Sequence, residues 1–160
     1  PRRGSSREED GYFLRAESYY NVVSNIDMLD EDPRDGPRII DSYGGVSLHN
    51  QSHGESFLAL AIHRLKRNGI FLMDEPEAAL SPLRQLGMLK IFHELVTNRN
   101  SQLIIATHSS ILMAYPDAWI YDLSSGKPTL IDYESTEHYN LTRDFLNNYR
   151  KYLDEINSST

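Results

Sequence analysis

The sequence predicts an α/β fold, a mostly parallel sheet flanked by helices. Two short apolar runs, Ile70 to Met73 and Leu103 to Ala106, each end in polar residues. That is how buried parallel strands read when they deliver side chains to a sheet's C-terminal edge. A stretch with helical apolar spacing lies between them. Strand, helix, strand in this order makes a crossover with two parallel strands.

Taken in order, residues 1–11 read as a flexible lead-in. Tyr12 to Ile26 places Phe13, Ala16, Tyr20 and Val23 near helical spacing and predicts a helix. Residues 27–38 are acidic, with two prolines and a glycine, and predict a loop. Ile39 to Leu48 is irregular. Gly54 to Asn68 predicts a helix with Phe57, Leu58, Ala61, Ile62 and Leu65 on one face, stopped by Gly69. Ser81-Pro82 is a helix start, with serine at the cap and proline at the first position. That helix runs to about Thr97, burying Leu83, Leu86, Leu89, Ile91, Phe92 and Leu95 or a subset. Trp119 to Leu123 and Thr129 to Tyr133 flank a Ser-Ser-Gly-Lys-Pro turn and predict a hairpin. Tyr139 to Ile156 predicts a helix with Leu141, Phe145, Leu146, Tyr149 and Leu153 as its apolar positions.

Composition narrows the class. The 160 residues suffice for one domain with a substantial core, and 39% of them are hydrophobic. The apolar runs are too short to span a bilayer, and no apolar signal segment follows the polar opening. There are no cysteines, which excludes disulfides and thiolate metal sites. A soluble, cytoplasmic protein is expected. The net charge of −7 lacks the basic character of a dedicated nucleic-acid binder. One local basic patch would suffice for binding, so nucleic acid stays open as a partner.

Three segments can carry chemistry. Asp74-Glu75 sets two adjacent carboxylates at the rim of the sheet, and successive strand residues face opposite ways. One acid can hold a hydrated Mg²⁺ while the other faces an attacking water. An ordinary acidic strand end before a turn at Pro76 gives the same text. His108, at the end of the second strand, can reach the same crevice, or serve as an unremarkable loop histidine. Gln51-Ser52-His53-Gly54-Glu55-Ser56 opens a helix with small residues, either as an anion site at the positive helix end or as plain capping by Ser52.

In order and spacing these segments resemble the motifs of ABC-type ATPases. Ser52-His53-Gly54-Glu55 resembles the signature, with His53 where glycine is usual and Glu55 where glutamine is usual. Ile70 to Pro76 is similar to Walker B with its catalytic glutamate. Glu77 to Pro82 resembles the D-loop, with Ser81 in the place of its aspartate. Ile105 to Ser109 resembles the switch loop. Asp74-Glu75-Pro76-Glu77 looks less like a transporter subunit than like soluble ATPases related to chromosome-maintenance and DNA-repair heads. Phe13 to Ser18, Gln51 to Ser56, Thr136 to Tyr139 and Leu141 to Leu146 further resemble a bacterial family of predicted ATPases whose substrate is not settled.

The resemblance implies a P-loop NTPase fold of ABC type, with ATP and Mg²⁺ as cofactors. Asp74 would orient Mg²⁺, Glu75 would position or polarise water, and His108 would contact the γ-phosphate. Ser52, Gly54 and Glu55 would cap the nucleotide of a second subunit, because ABC heads sandwich ATP between two copies. An ATP-dependent homodimer is therefore expected. Ser81 removes the carboxylate through which a D-loop would communicate.

The phosphate-binding half is not in this text. The only Gly-Lys, Gly126-Lys127, precedes Pro128, and the earlier glycine position of a P-loop holds Tyr121. Residues 1–160 thus read as the C-terminal part of one ABC-type ATPase domain, active in the intact protein and inactive alone. The alternatives are a non-catalytic module pairing with a P-loop-bearing chain, or a transporter's ATPase subunit, although no membrane partner is evident. Other chemistries lack their residues. His93-Glu94 has Thr97 where a zinc protease needs histidine, His49 and His53 lack a third ligand, and no Gly-x-Ser-x-Gly occurs.

Overall fold

The computed structural model describes residues 10–16, 19–30, 38–43, 45, 53–65 and 68–158. The chain divides into two compact units, Pro1–Thr107 and His108–Thr160.

The first unit contains β1 (Asp10–Arg15), α1 (Tyr19–Asp30), α2 (His53–Arg64), β2 (Gly69–Asp74), α3 (Pro82–His93) and β3 (Gln102–Ala106). The strands form one parallel sheet in the order β1-β2-β3. The α/β class with a parallel sheet and flanking helices is as the sequence predicts.

The register explains which side chains are buried. Tyr12, Phe71 and Leu103 are partners, and so are Leu14, Met73 and Ile105. Leu14, Phe71 and Met73 are almost fully buried and join Phe57, Leu60, Ala61 and Leu65 of the α2 region and Met88, Phe92 and Leu95 of the α3 region in the core. Burying each large apolar side chain contributes roughly 1.5–3 kcal/mol. The intervening row points the other way. Phe13, Leu72 and Ile104 are register partners and are 59%, 43% and 51% exposed. The run in β2 is therefore buried on one face only, and the run in β3 is half-buried on that face.

The opening segment differs from expectation. Tyr12 begins no helix: residues 10–15 form β1, and the helix starts at Tyr19. Phe13, Ala16 and Tyr20 mimic helical spacing, but pairing with β2 and the alternation of buried Leu14 with exposed Phe13 decide for a strand. Asp10 and Gly11 belong to that strand and not to a lead-in. Residues 1–9 lie outside the described residues. Arg64 fastens β1 to α2, its Nη1 2.7 Å from Asp10 Oδ2 and its guanidinium 4.6 Å from the Tyr12 ring centroid. Gly69 is required beneath this junction, since a Cβ there would sit 2.5 Å from the Asp10 carbonyl oxygen. α1 also extends to Asp30, into the expected loop, and the Asp30 carboxylate accepts the N–H groups of Ile39 and Ile40 at 2.6 and 2.8 Å. Those bonds anchor a 3-10 helix at Ile39–Tyr43.

α3 starts at the expected place, with Ser81 at the cap position and Pro82 first, but the Ser81 side chain makes no capping bond. Its core face is Gln85, Met88 and Phe92, continuing to Leu95 in a π-turn at Glu94–Asn98. Leu83 and Leu86 are exposed instead.

The second unit contains α4 (Ser110–Met113), the antiparallel hairpin β4 (Ile120–Asp122) and β5 (Thr129–Ile131), and α5 (Glu137–Ser158). Gly126, at φ 76°, supplies the left-handed residue that the hairpin turn uses. α4 was not anticipated; Ser109 caps it, its Oγ accepting from Ile111 N and Leu112 N at 3.1 Å each. α5 matches the predicted terminal helix and bends at Asn148. Among the described residues, no helix is long and apolar enough to cross a membrane.

Candidate functional site

β2 carries Asp74 to the C-terminal edge of the sheet as its last residue. Glu75 then leaves the strand. Its N–H still donates to the Ala106 carbonyl of β3 at 2.9 Å, but its backbone turns left-handed, at φ 47° and ψ 51°. A 3-10 helix, Pro76–Ala79, follows with proline at its start, where a missing N–H costs no bond. A non-glycine residue in the left-handed region costs about 1–2 kcal/mol. Such strain at an exposed acid marks a candidate functional position. The turn carries Glu75 off the strand that holds Asp74. Asp74 stays on the sheet face that carries Arg15 and Ala106 in register, and Glu75 stands on the turn beyond it.

Arg15 joins Asp74 at the candidate site, a neighbour that the sequence does not announce. Its Nε donates to Asp74 Oδ2 at 2.7 Å. Only recognition of β1 as a strand would have placed it beside Asp74, and the alternation of Tyr12, Phe13 and Leu14 was the available signal. Among the described residues, no group of three or more His, Cys, Asp or Glu is arranged to hold a metal ion. A lone strand-end carboxylate nonetheless fits Mg²⁺, which keeps several waters and takes one or two carboxylates together with substrate phosphates.

The helix that the sequence offered as an anion site starts at His53. Ser52 lies outside the described residues. Gly54 is buried, and a Cβ there would meet Arg84 Cδ at 2.8 Å and the Ala79 carbonyl oxygen at 3.0 Å. Glu55 pairs with Arg84 at 2.8 Å. Gly54 thus packs directly on Ala79 of the D-loop-like segment and on Arg84 near the start of α3. Arg84 supplies a countercharge to the acidic Glu55. Ser81 is exposed, and the buried Gln85 beside it donates from Nε2 to the Leu80 carbonyl at 3.1 Å.

His108 opens the second unit, next in sequence to Thr107. Its Nδ1 lies 3.1 Å from Nε2 of His138 in the first turn of α5, and the ring centroids are 5.1 Å apart. The neighbouring segment is tied down as well. The Tyr133 hydroxyl donates to the Ser110 carbonyl at 2.8 Å, and burial pushes that hydroxyl above the usual tyrosine range. His138 is the second residue that sequence reading missed. It is thirty positions from its partner, and no local pattern announces the pairing.

A protein-family model described as an AAA ATPase domain matches residues 17–113. No curated protein and no solved structure matches the chain. The family match covers more than half of the sequence and takes in Ser52, Gly54, Glu55, Asp74, Glu75 and His108. ATP binding and hydrolysis are the general chemistry of such a domain. With an α/β parallel sheet that delivers Asp74 and Glu75 to its C-terminal edge, the chain belongs to the AAA ATPase domain family.

Proposed function

We propose that this chain is the C-terminal part of an ABC-type head that hydrolyses ATP as a dimer. The observation that carries the reading is the pair of adjacent acids at the end of a parallel strand, Asp74 on the strand and Glu75 turned off it by a left-handed backbone. Asp74, steadied by Arg15, faces the position of a hydrated cation. Glu75, lifted off the strand by its left-handed backbone, is the group that orients and polarises the attacking water. His108 contacts the γ-phosphate, and Ser52, Gly54 and Glu55 cap the nucleotide bound by a second copy. Mg²⁺, when bound, neutralises charge on the phosphate oxygens. The reaction is phosphoryl transfer to water, accelerated by positioning and electrostatics. The phosphate-binding loop comes from outside these 160 residues.

The packing of Gly54 under Arg84 and Ala79 favours a second reading of that segment, in which it is a helix cap with no nucleotide role. Sedimentation of the intact protein separates the two. In a Glu75→Gln background, which removes hydrolysis, ATP should drive dimerisation, and adding Ser52→Arg should abolish it. Equal ATP-driven dimerisation of both proteins would leave Ser52 to Glu55 as a cap and remove the case for an ABC-type sandwich.

A further inference from the structure

We propose that His138 is the positioning residue of His108: it engages Nδ1 of that ring and so assigns Nε2 to the phosphate. The inference rests on the reading above, in which His108 meets the γ-phosphate. Its observation is the 3.1 Å separation of His108 Nδ1 and His138 Nε2, with the two rings inclined at 37°.

At that separation a single proton lies between the two nitrogens. If His138 donates it, His108 is neutral and carries its own hydrogen on Nε2. If His108 donates it, a second hydrogen on Nε2 makes the ring an imidazolium. In both arrangements that let His108 donate to an oxyanion, the donor is Nε2. A ring held at one nitrogen also cannot swing about its Cα–Cβ bond without losing the contact, so the donor direction is set before any ligand arrives.

The frame around His138 holds it in place. Thr136 is 3% exposed, and its Oγ1 donates to the Tyr133 carbonyl at 2.8 Å and accepts from Tyr139 N at 3.2 Å. This caps α5 one turn around His138. The 3-10 turn that precedes it, Tyr133–Ser135, reaches the segment after His108 through the bond from Tyr133 to Ser110. Ser109 fixes that segment from the other side by capping α4. Asp122 of β4 adds a charge that His138 senses. The Ser124 backbone N–H and hydroxyl hold the Asp122 carboxyl below the usual carboxylate range, and His138 acts in the same direction. Thr136 to Tyr139 gains a function here that the acid pair does not give it.

Two measurements test this. In the intact protein labelled with ¹⁵N-histidine, long-range ¹H–¹⁵N spectra report the His108 tautomer. His138→Ala should move the His108 Nδ1 resonance, and His138→Gln, whose amide can donate to the same nitrogen, should restore it. An unmoved resonance in a folded His138→Ala protein overturns the inference. In turnover assays, His138→Ala should lower kcat about tenfold with KM for ATP unchanged, on the scale of losing an orienting partner. His138→Gln should recover most of it, and His108→Ala/His138→Ala should be no slower than His108→Ala alone. Normal kcat in His138→Ala beside an impaired His108→Ala overturns the positioning role and leaves the reading of His108 standing. Normal turnover in His108→Ala removes that reading, and this inference with it.

Discussion

At Glu75 the backbone sits at φ 47° and ψ 51°, where a side chain other than glycine is strained. Glycine would relieve the strain but widen the freedom of the unfolded chain, and the two effects nearly cancel. Glu75→Gly is therefore expected to leave thermal stability unchanged within about 1 kcal/mol, or to raise it, while removing hydrolysis. Glu75→Val should destabilise by more, because a β-branched side chain is a poor fit to positive φ. Chemical denaturation of both variants is the check, and a loss above about 2 kcal/mol for Glu75→Gly would contradict the turn geometry. Residue identity at the site was partly legible. Asp74 and Glu75 stand out because an apolar run ends in two acids, and His108 because a second run ends beside it. Arg15 and His138 were not legible. Each is defined by a contact with a residue 59 or 30 positions away.

At the scale of elements, hydrophobic period located α2, β2, β3, the hairpin and α5, and a Ser-Pro start located α3. It failed where two periods fit the same text. Tyr12 to Val23 satisfies helical spacing as a whole, yet its first half pairs with β2, and the strand is held there by the clamp of Arg64 on Asp10 and Tyr12. It failed again on the face of α3. Leucines and isoleucine around the whole helix do not say which stripe turns inward, and the buried stripe includes polar Gln85, which finds the Leu80 carbonyl. The assignment is testable by a pair of truncations. Phe92, 2% exposed, should cost about 3–5 kcal/mol when replaced by alanine. Leu83, 78% exposed, should change stability by less than about 0.5 kcal/mol. Comparable losses in denaturant unfolding would mean that α3 buries the face that its leucines advertise.

For the molecule as a whole, each unit has its own logic. The first is a parallel sheet with one apolar face in the core and a row of Phe13, Leu72 and Ile104 on the other. Parallel sheets ordinarily have both faces covered. Among the described residues, β3 is an edge strand, paired on one side with β2. The second unit holds His108 in a frame of Ser109, Tyr133, Thr136 and His138. The central claim is that an AAA-family sheet edge built from Asp74 and Glu75 hydrolyses ATP. It is tested most directly by measuring ATP binding and turnover of the intact protein side by side with Glu75→Gln. The account predicts unchanged nucleotide binding and turnover lowered at least about a hundredfold, the scale of a lost general base; normal turnover in Glu75→Gln would contradict it.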